Sequence, residues 1–218
     1  MNIVDWWPRL AQASLTTLYM VGASTFLTVL LGLPLGVLLV LSDKRGLRPR
    51  PLLNKLLGAV VNLTRSLPFI ILLVVLIPFT RWIVGTSIGP TAAIVPLTLA
   101  AVPFFARVTE SALREVPSGV IEAAQAMGSS DWQIVRKVMI KEAMPGLVLG
   151  IALTLISLVG YSAMAGAVGG GGLGDLAIRY GYQRFETEVM LATVVLLVAF
   201  VQVVQSVGDR IAAKISKR

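Results

Sequence analysis

The hydrophobic positions of this chain gather into long blocks without Asp, Glu, Lys or Arg. Such blocks cover residues 10–42, 82–106, 143–174 and 189–208, with a shorter one at 66–80. The short block is preceded, across the single charge of Arg65, by the apolar run 56–63. About 20 apolar residues carry a helix across a hydrocarbon core roughly 30 Å thick. The pattern therefore predicts an all-α, polytopic membrane protein with five transmembrane helices, near 14–41, 56–80, 87–107, 144–168 and 189–209. The first block is too long for a signal-peptide core and lacks a basic flank, so it is expected to stay as a helix. Trp6 and Trp7 beside it read as interfacial anchors at the outer surface.

Composition agrees. Of 218 residues 56% are hydrophobic and 14% charged, against about 25% charged in soluble domains. The net charge of +8 could mark a nucleic-acid binder, so its distribution matters. Fourteen of the 19 basic residues fall in the first loop, the third loop and the C-terminal tail; four fall on the opposite side, and Arg65 lies within a span. The positive-inside rule turns this bias into an orientation: N-terminus outside, C-terminus cytoplasmic. Membrane lipid is then the expected surroundings, and nucleic acid is not a partner. The sequence has no His and no Cys. That removes thiol and imidazole catalysis, Cys/His metal sites and disulfides.

Within the spans, Pro34, Pro68, Pro78, Pro90, Pro96 and Pro103 suggest a bundle that bends or lines a cavity. Gly32/Gly36 and Gly146/Gly150 carry the four-residue spacing that lets helices approach closely. Ser157, Gly160, Ala163 and Gly166 form a small-residue stripe on the fourth span, a helix contact or a pore-facing surface. Beside it Gly160, Tyr161, Ser162 and Met164 are the candidate pore or gate residues, Met164 being the large, polarizable side chain among small ones. Arg65 reads as a snorkelling or paired structural charge, or as a gating charge. Gly169, Gly170, Gly171 and Gly172 cannot hold a regular helix and read as an outer hinge or a re-entrant piece at a cavity mouth.

The third loop, 108–143, is the longest segment outside the spans. Residues 120–127 are dense in helix formers, Gly128 stands where a helix C′ residue belongs, and Ser129, Ser130 and Asp131 offer an N-cap for a second helix. That helix is expected to carry Trp132, Val135, Val138 and Met139 on its apolar face. A helix–Gly–helix unit of this kind serves either as a docking lever for a soluble partner or as an amphipathic connector on the membrane. No G-x-x-x-x-G-K-[ST] loop occurs in the chain, so any ATP-driven motion needs an external motor. Catalytic residues are expected to be none, since the G-x-S-x-G elbow is incomplete at 160–164 and no base is available. The span middles lack the carboxylates of an ion-coupled carrier, which disfavours that class and a channel.

Glu122-Ala123-Ala124, Gly128 and Val138-x-Ile140 resemble the EAA loop of ABC-importer permeases, although the family's following proline is Lys141 here, the nearest being Pro145. Arg65-Ser-Leu-Pro-Phe-Ile, Ile88-Gly-Pro-Thr-Ala-Ala, Pro103-Phe-Phe-Ala-Arg107 and the stretch from Gly160 to Asp175 are similar to the five-span permeases of methionine importers of the type I class. The resemblance implies one transmembrane permease domain over 1–218 and a homodimer. It also implies two separate ATP-binding subunits holding ATP and Mg, and an extracytoplasmic substrate-binding lipoprotein. Glu122, Ala123, Ala124, Gly128 and Trp132 would couple to the ATPase. The implied location is the bacterial inner membrane, and the implied cargo is L- and D-methionine, or else another amino acid or small polar solute.

Overall fold

The computed structural model describes residues 3–216, and the tail charges Lys217 and Arg218 lie outside them. Among the described residues the chain is helical with no strands. α1 (Ile3–Leu41) is followed by α2 (Pro51–Arg65), α3 (Phe69–Val75), α4 (Ile77–Val84) and α5 (Pro90–Arg114). α6 (Ser118–Ala126) and α7 (131–142, wound one residue wider over Ile134–Met139) form the third loop. α8 (Met144–Ala165), α9 (172–182) and α10 (Thr187–Ser216) complete the bundle.

Four helices are long and apolar enough to cross a membrane: 6–41, 90–114, 144–170 and 187–216. They correspond to four of the expected spans. The fifth is not one straight helix. α2 and α3 meet at 103° across Ser66–Leu67–Pro68, because Pro68 cannot continue the α2 hydrogen-bond ladder and instead precedes the first turn of α3. Pro78 and Pro90 likewise occupy the first turns of α4 and α5, where the missing N–H costs nothing. Only Pro34, Pro96 and Pro103 of the six interrupt a helix interior. α1 also starts well before residue 14. Its Trp6 is buried against Tyr180, ring centroids 4.8 Å apart in an edge-on arrangement, with Arg9 over both rings. Trp7 alone keeps the exposed position expected of an anchor.

α5 is the axis of the bundle. A Cβ on Gly36 of α1 would sit 2.5 Å from Thr109 Cβ and 2.7 Å from the Ala106 carbonyl; one on Gly150 of α8 would sit 2.4 Å from Val108 Cγ1. Gly32 faces Phe105 and Gly146 faces Ala112 in the same way. Both glycine pairs thus seat their helices on adjacent faces of α5, Gly32 and Gly150 both reaching Phe105. Met20, Val21, Phe69, Leu97, Ala101 and Leu158 fill the core between α1, α3, α5 and α8.

Candidate coupling surface and translocation face

The third loop folds into a compact corner. α6 closes at Gly128, whose φ of +75° is open to glycine without steric cost. Its N–H donates to the Gln125 carbonyl at 2.9 Å, and the Ser129 N–H donates to the Ala124 carbonyl at 3.1 Å. Ser130 then starts α7 with a capping box: its hydroxyl accepts from the Gln133 N–H while the Gln133 side chain accepts from the Ser130 N–H. Ile134, Val135 and Met139 of α7 pack with Ala124 of α6 and with Leu113 and Leu147 of the long helices. The unit is therefore anchored to the spans rather than lying loose on a membrane surface.

Glu122 and Ala123 point outward, and Ala124 is buried. Trp132 does not join the apolar face expected of it. It is 68% exposed in the first turn of α7, ahead of the wide-wound segment, while Ile134 is buried beside the expected Val135 and Met139 and Val138 is half-buried. Met127, absent from the sequence reading, is 86% exposed at the end of α6. A large apolar side chain directly before a C′ glycine was the available signal. Two unpartnered apolar side chains, Met127 and Trp132, thus flank the Gly128 turn beside Glu122.

Ion pairs link the neighbouring helix ends, and one of them reaches this corner. Arg114 of α5 pairs with Asp43, in the loop after α1, and with Glu110 at 2.8 Å; Arg107 pairs with Glu110 at 2.6 Å and donates to Asn62 Oδ1 of α2 at 2.9 Å. Arg48 pairs with Asp131 at the start of α7. The i,i+3 and i,i+4 spacing of Arg107, Glu110 and Arg114 carried this signal in the sequence. Burial pushes the Asp43 carboxyl up, but hydrogen bonds from the Arg114 guanidinium and the Lys44 N–H outweigh it and hold the carboxyl below the usual aspartate range. With its value lowered in the fold, this tie is complete above the ordinary aspartate range and is lost only on strong acidification.

On α8 the small-residue stripe divides. Ala163 and Gly166 lie against Gly174 and Asp175 of α9, so close that a Cβ on Gly174 would sit 2.4 Å from Ala163 Cα. Gly160 has nothing within 4 Å of a Cβ position, and Met164, 49% exposed, shares its open side. Ser162 is buried, its hydroxyl donating to the Val159 carbonyl at 2.8 Å. Tyr161 stacks on Phe69 of α3 with ring centroids 4.8 Å apart. Gly160, Tyr161 and Met164 therefore gather on one face, with Arg65 close by across a cavity shared with Tyr161, while Ser162 faces the bundle.

The four glycines form a tight corner between α8 and α9. Gly169, Gly171 and Gly172 have φ of +94°, +79° and +78°; the Gly169 carbonyl accepts from the Gly89 N–H, and the Leu173 N–H donates to Thr17 Oγ1, both at 2.9 Å. A Cβ on Gly172 would sit 2.6 Å from Thr17 Oγ1. Gly170 lines a cavity of about 350 Å³ with Thr80, Arg81, Ala92 and Pro96. The corner closes onto the end of α8, where a Cβ on Gly170 would sit 2.8 Å from the Ala165 carbonyl.

No metal-binding group of His, Cys, Asp or Glu occurs among the described residues. The surfaces so assembled are an anchored helix–Gly–helix with exposed apolar tips and an open face of small residues on a membrane helix. A family model described as "binding-protein-dependent transport system inner membrane component" matches residues 32–218. The chain belongs to that family. It is an inner membrane component of a transport system, not an enzyme. A probable D-methionine transport system permease protein of Vibrio cholerae is 53% identical over 96% of this chain and 93% of its own length. The methionine import system permease protein of Bacillus subtilis is 46% identical over 83% and 82%. A solved chain from the inward-facing MetNI methionine ABC transporter is 51% identical over 99% of both chains, with a TM-score of 0.96.

Proposed function

We propose that this chain is the permease subunit of an ATP-driven importer of methionine. Two copies form the translocation pathway, two separate ATP-binding subunits drive it, and an extracytoplasmic binding protein delivers the cargo. The N-terminus is outside and the C-terminus cytoplasmic. The observation that carries this reading is the full-length match, in sequence and in backbone, to the solved chain of a methionine ABC transporter. The local geometry supports it. α6 and its Gly128 turn present Glu122, Ala123, Met127 and Trp132 away from the bundle, and an apolar-tipped helix suits insertion into a groove on a soluble partner. ATP hydrolysis there would move α6 and α7 as one body, and their packing against Leu113 and Leu147 passes that motion to α5 and α8.

The test is co-purification followed by transport. Tagged permease expressed with its ATP-binding partner subunit is expected to carry that subunit through purification. The complex in liposomes, with the binding protein present, is expected to accumulate labelled methionine only when ATP is supplied. Uptake driven by a proton or sodium gradient without ATP, or preference for another amino acid, would overturn the reading.

A further inference from the structure

Arg65 ends α2 at the 103° break, and the cavity it lines also touches Ala100 and Phe104, midway along the 25-residue α5. It is thus a cation beside the middle of a predicted span, with its side chain exposed in the single chain. It takes part in no ion pair and no hydrogen bond among the described residues; the five ion pairs lie elsewhere. A charge in such a place is costly unless a counter-charge or water meets it. Nor is it needed to cap α2, because the carbonyls of Asn62, Leu63 and Thr64 already accept from Ser66 and Leu67. The cavity measures about 200 Å³ and is otherwise lined by Thr64, Leu67, Phe69, Leu72 and Tyr161, with no acid in its wall. It is smaller than the roughly 300–1,000 Å³ of drug-sized sites, which suits an occupant no larger than a single amino acid. Tyr161, stacked on Phe69 at 4.8 Å, sits one helical turn from Met164 on the open face of α8.

The geometry points to a transit subsite for a small apolar amino acid in this cavity, with Arg65 receiving the α-carboxylate and Phe69, Phe104 and Tyr161 the side chain. A guanidinium holds a carboxylate through paired, charge-assisted hydrogen bonds, and a thioether packs favourably at aromatic edges. The inference rests on the transport reading above and adds to it a place in this chain where cargo is recognised.

The absence of cysteine supplies the test. In the complete transporter, Thr64→Cys is labelled with a small thiosulfonate reagent, and the permease band is read after electrophoresis. Saturating L-methionine is expected to slow labelling, its methyl ester is not, and protection is expected to weaken at least about tenfold in an Arg65→Gln background, the loss of one charge-assisted contact. Arg65→Lys is expected to restore part of it. Equal labelling with and without methionine, or full protection in Arg65→Gln, overturns the subsite. ATP-dependent methionine uptake by the unmutated complex is measured alongside. Uptake without protection overturns the subsite and leaves the transport reading standing, whereas no uptake overturns both.

Discussion

Single residues decide most sharply at the Gly128 turn. Its φ of +75° favours glycine, yet no atom lies within 4 Å of a Cβ there, and Asp is among the few residues that enter the left-handed region readily. Gly128→Asp should therefore fold and keep the α6–α7 corner. What it adds is a carboxylate between Met127 and Trp132, on the surface offered to the ATP-binding subunit. ATP-dependent uptake is expected to fall at least about tenfold, equivalent to 1.4 kcal/mol of docking energy, with only a small drop in the melting temperature of the isolated permease from the side chain held at positive φ. Unaltered uptake would show that this turn does not dock. The same surface shows how far a residue pattern can be read. The C′ glycine and the Ser130 cap were legible because each rests on a local rule of backbone chemistry. Trp132 was misplaced because it continues the apolar spacing of Val135 and Met139, yet whether a first-turn side chain meets the bundle is decided by tertiary packing, which no local rule marks.

At the scale of elements, close approach to α5 sets the architecture, and here the sequence was informative in a specific way. Uncharged length revealed four spans, and small residues four apart revealed where helices touch. The α2–α3 bend was foreshadowed by Ser66–Leu67–Pro68, but its angle depends on Phe69 packing into the core with Leu97 and Leu158, a tertiary fact. Gly36→Val tests the α1–α5 contact. Its branched side chain would overlap Thr109 and the Ala106 carbonyl, and overpacking of this kind costs about 1–3 kcal/mol. Thr28→Val provides the matched control on the same helix. The Thr28 hydroxyl is buried with no hydrogen-bond partner, so replacing it with a methyl should be neutral or stabilising. Thermal unfolding in detergent is expected to show a lower midpoint for Gly36→Val and an equal or higher one for Thr28→Val. The reverse order would mean that α1 is not held on α5 by this contact.

The whole molecule is unevenly covered. Over its most apolar 18-residue window α5 is 56% buried and α10 only 11%, and lipid suits the apolar exterior of α10. It suits the open side of α8 less well, because Gly160 and the half-exposed Ser157 offer little apolar surface to acyl chains, while small residues are what membrane helices use to approach one another. A second copy of this chain meeting the first along α8 would cover that strip and bring Met164 of each copy towards the axis. There a flexible apolar side chain closes a pathway by excluding water. Met164→Cys measures this directly in the cysteine-free chain. Disulfides form only when Cα atoms come within about 7 Å, so cross-linking reports the distance between the two faces and not mere proximity of subunits. The expected result is a covalent permease dimer that forms readily in one nucleotide state of the transporter and poorly in another, following the closing and opening of the gate. Leu149→Cys, exposed on α8 but four turns away, is expected to lack that dependence. Absence of the Met164→Cys dimer in every nucleotide state would remove α8 from the axis and place the gate on another helix.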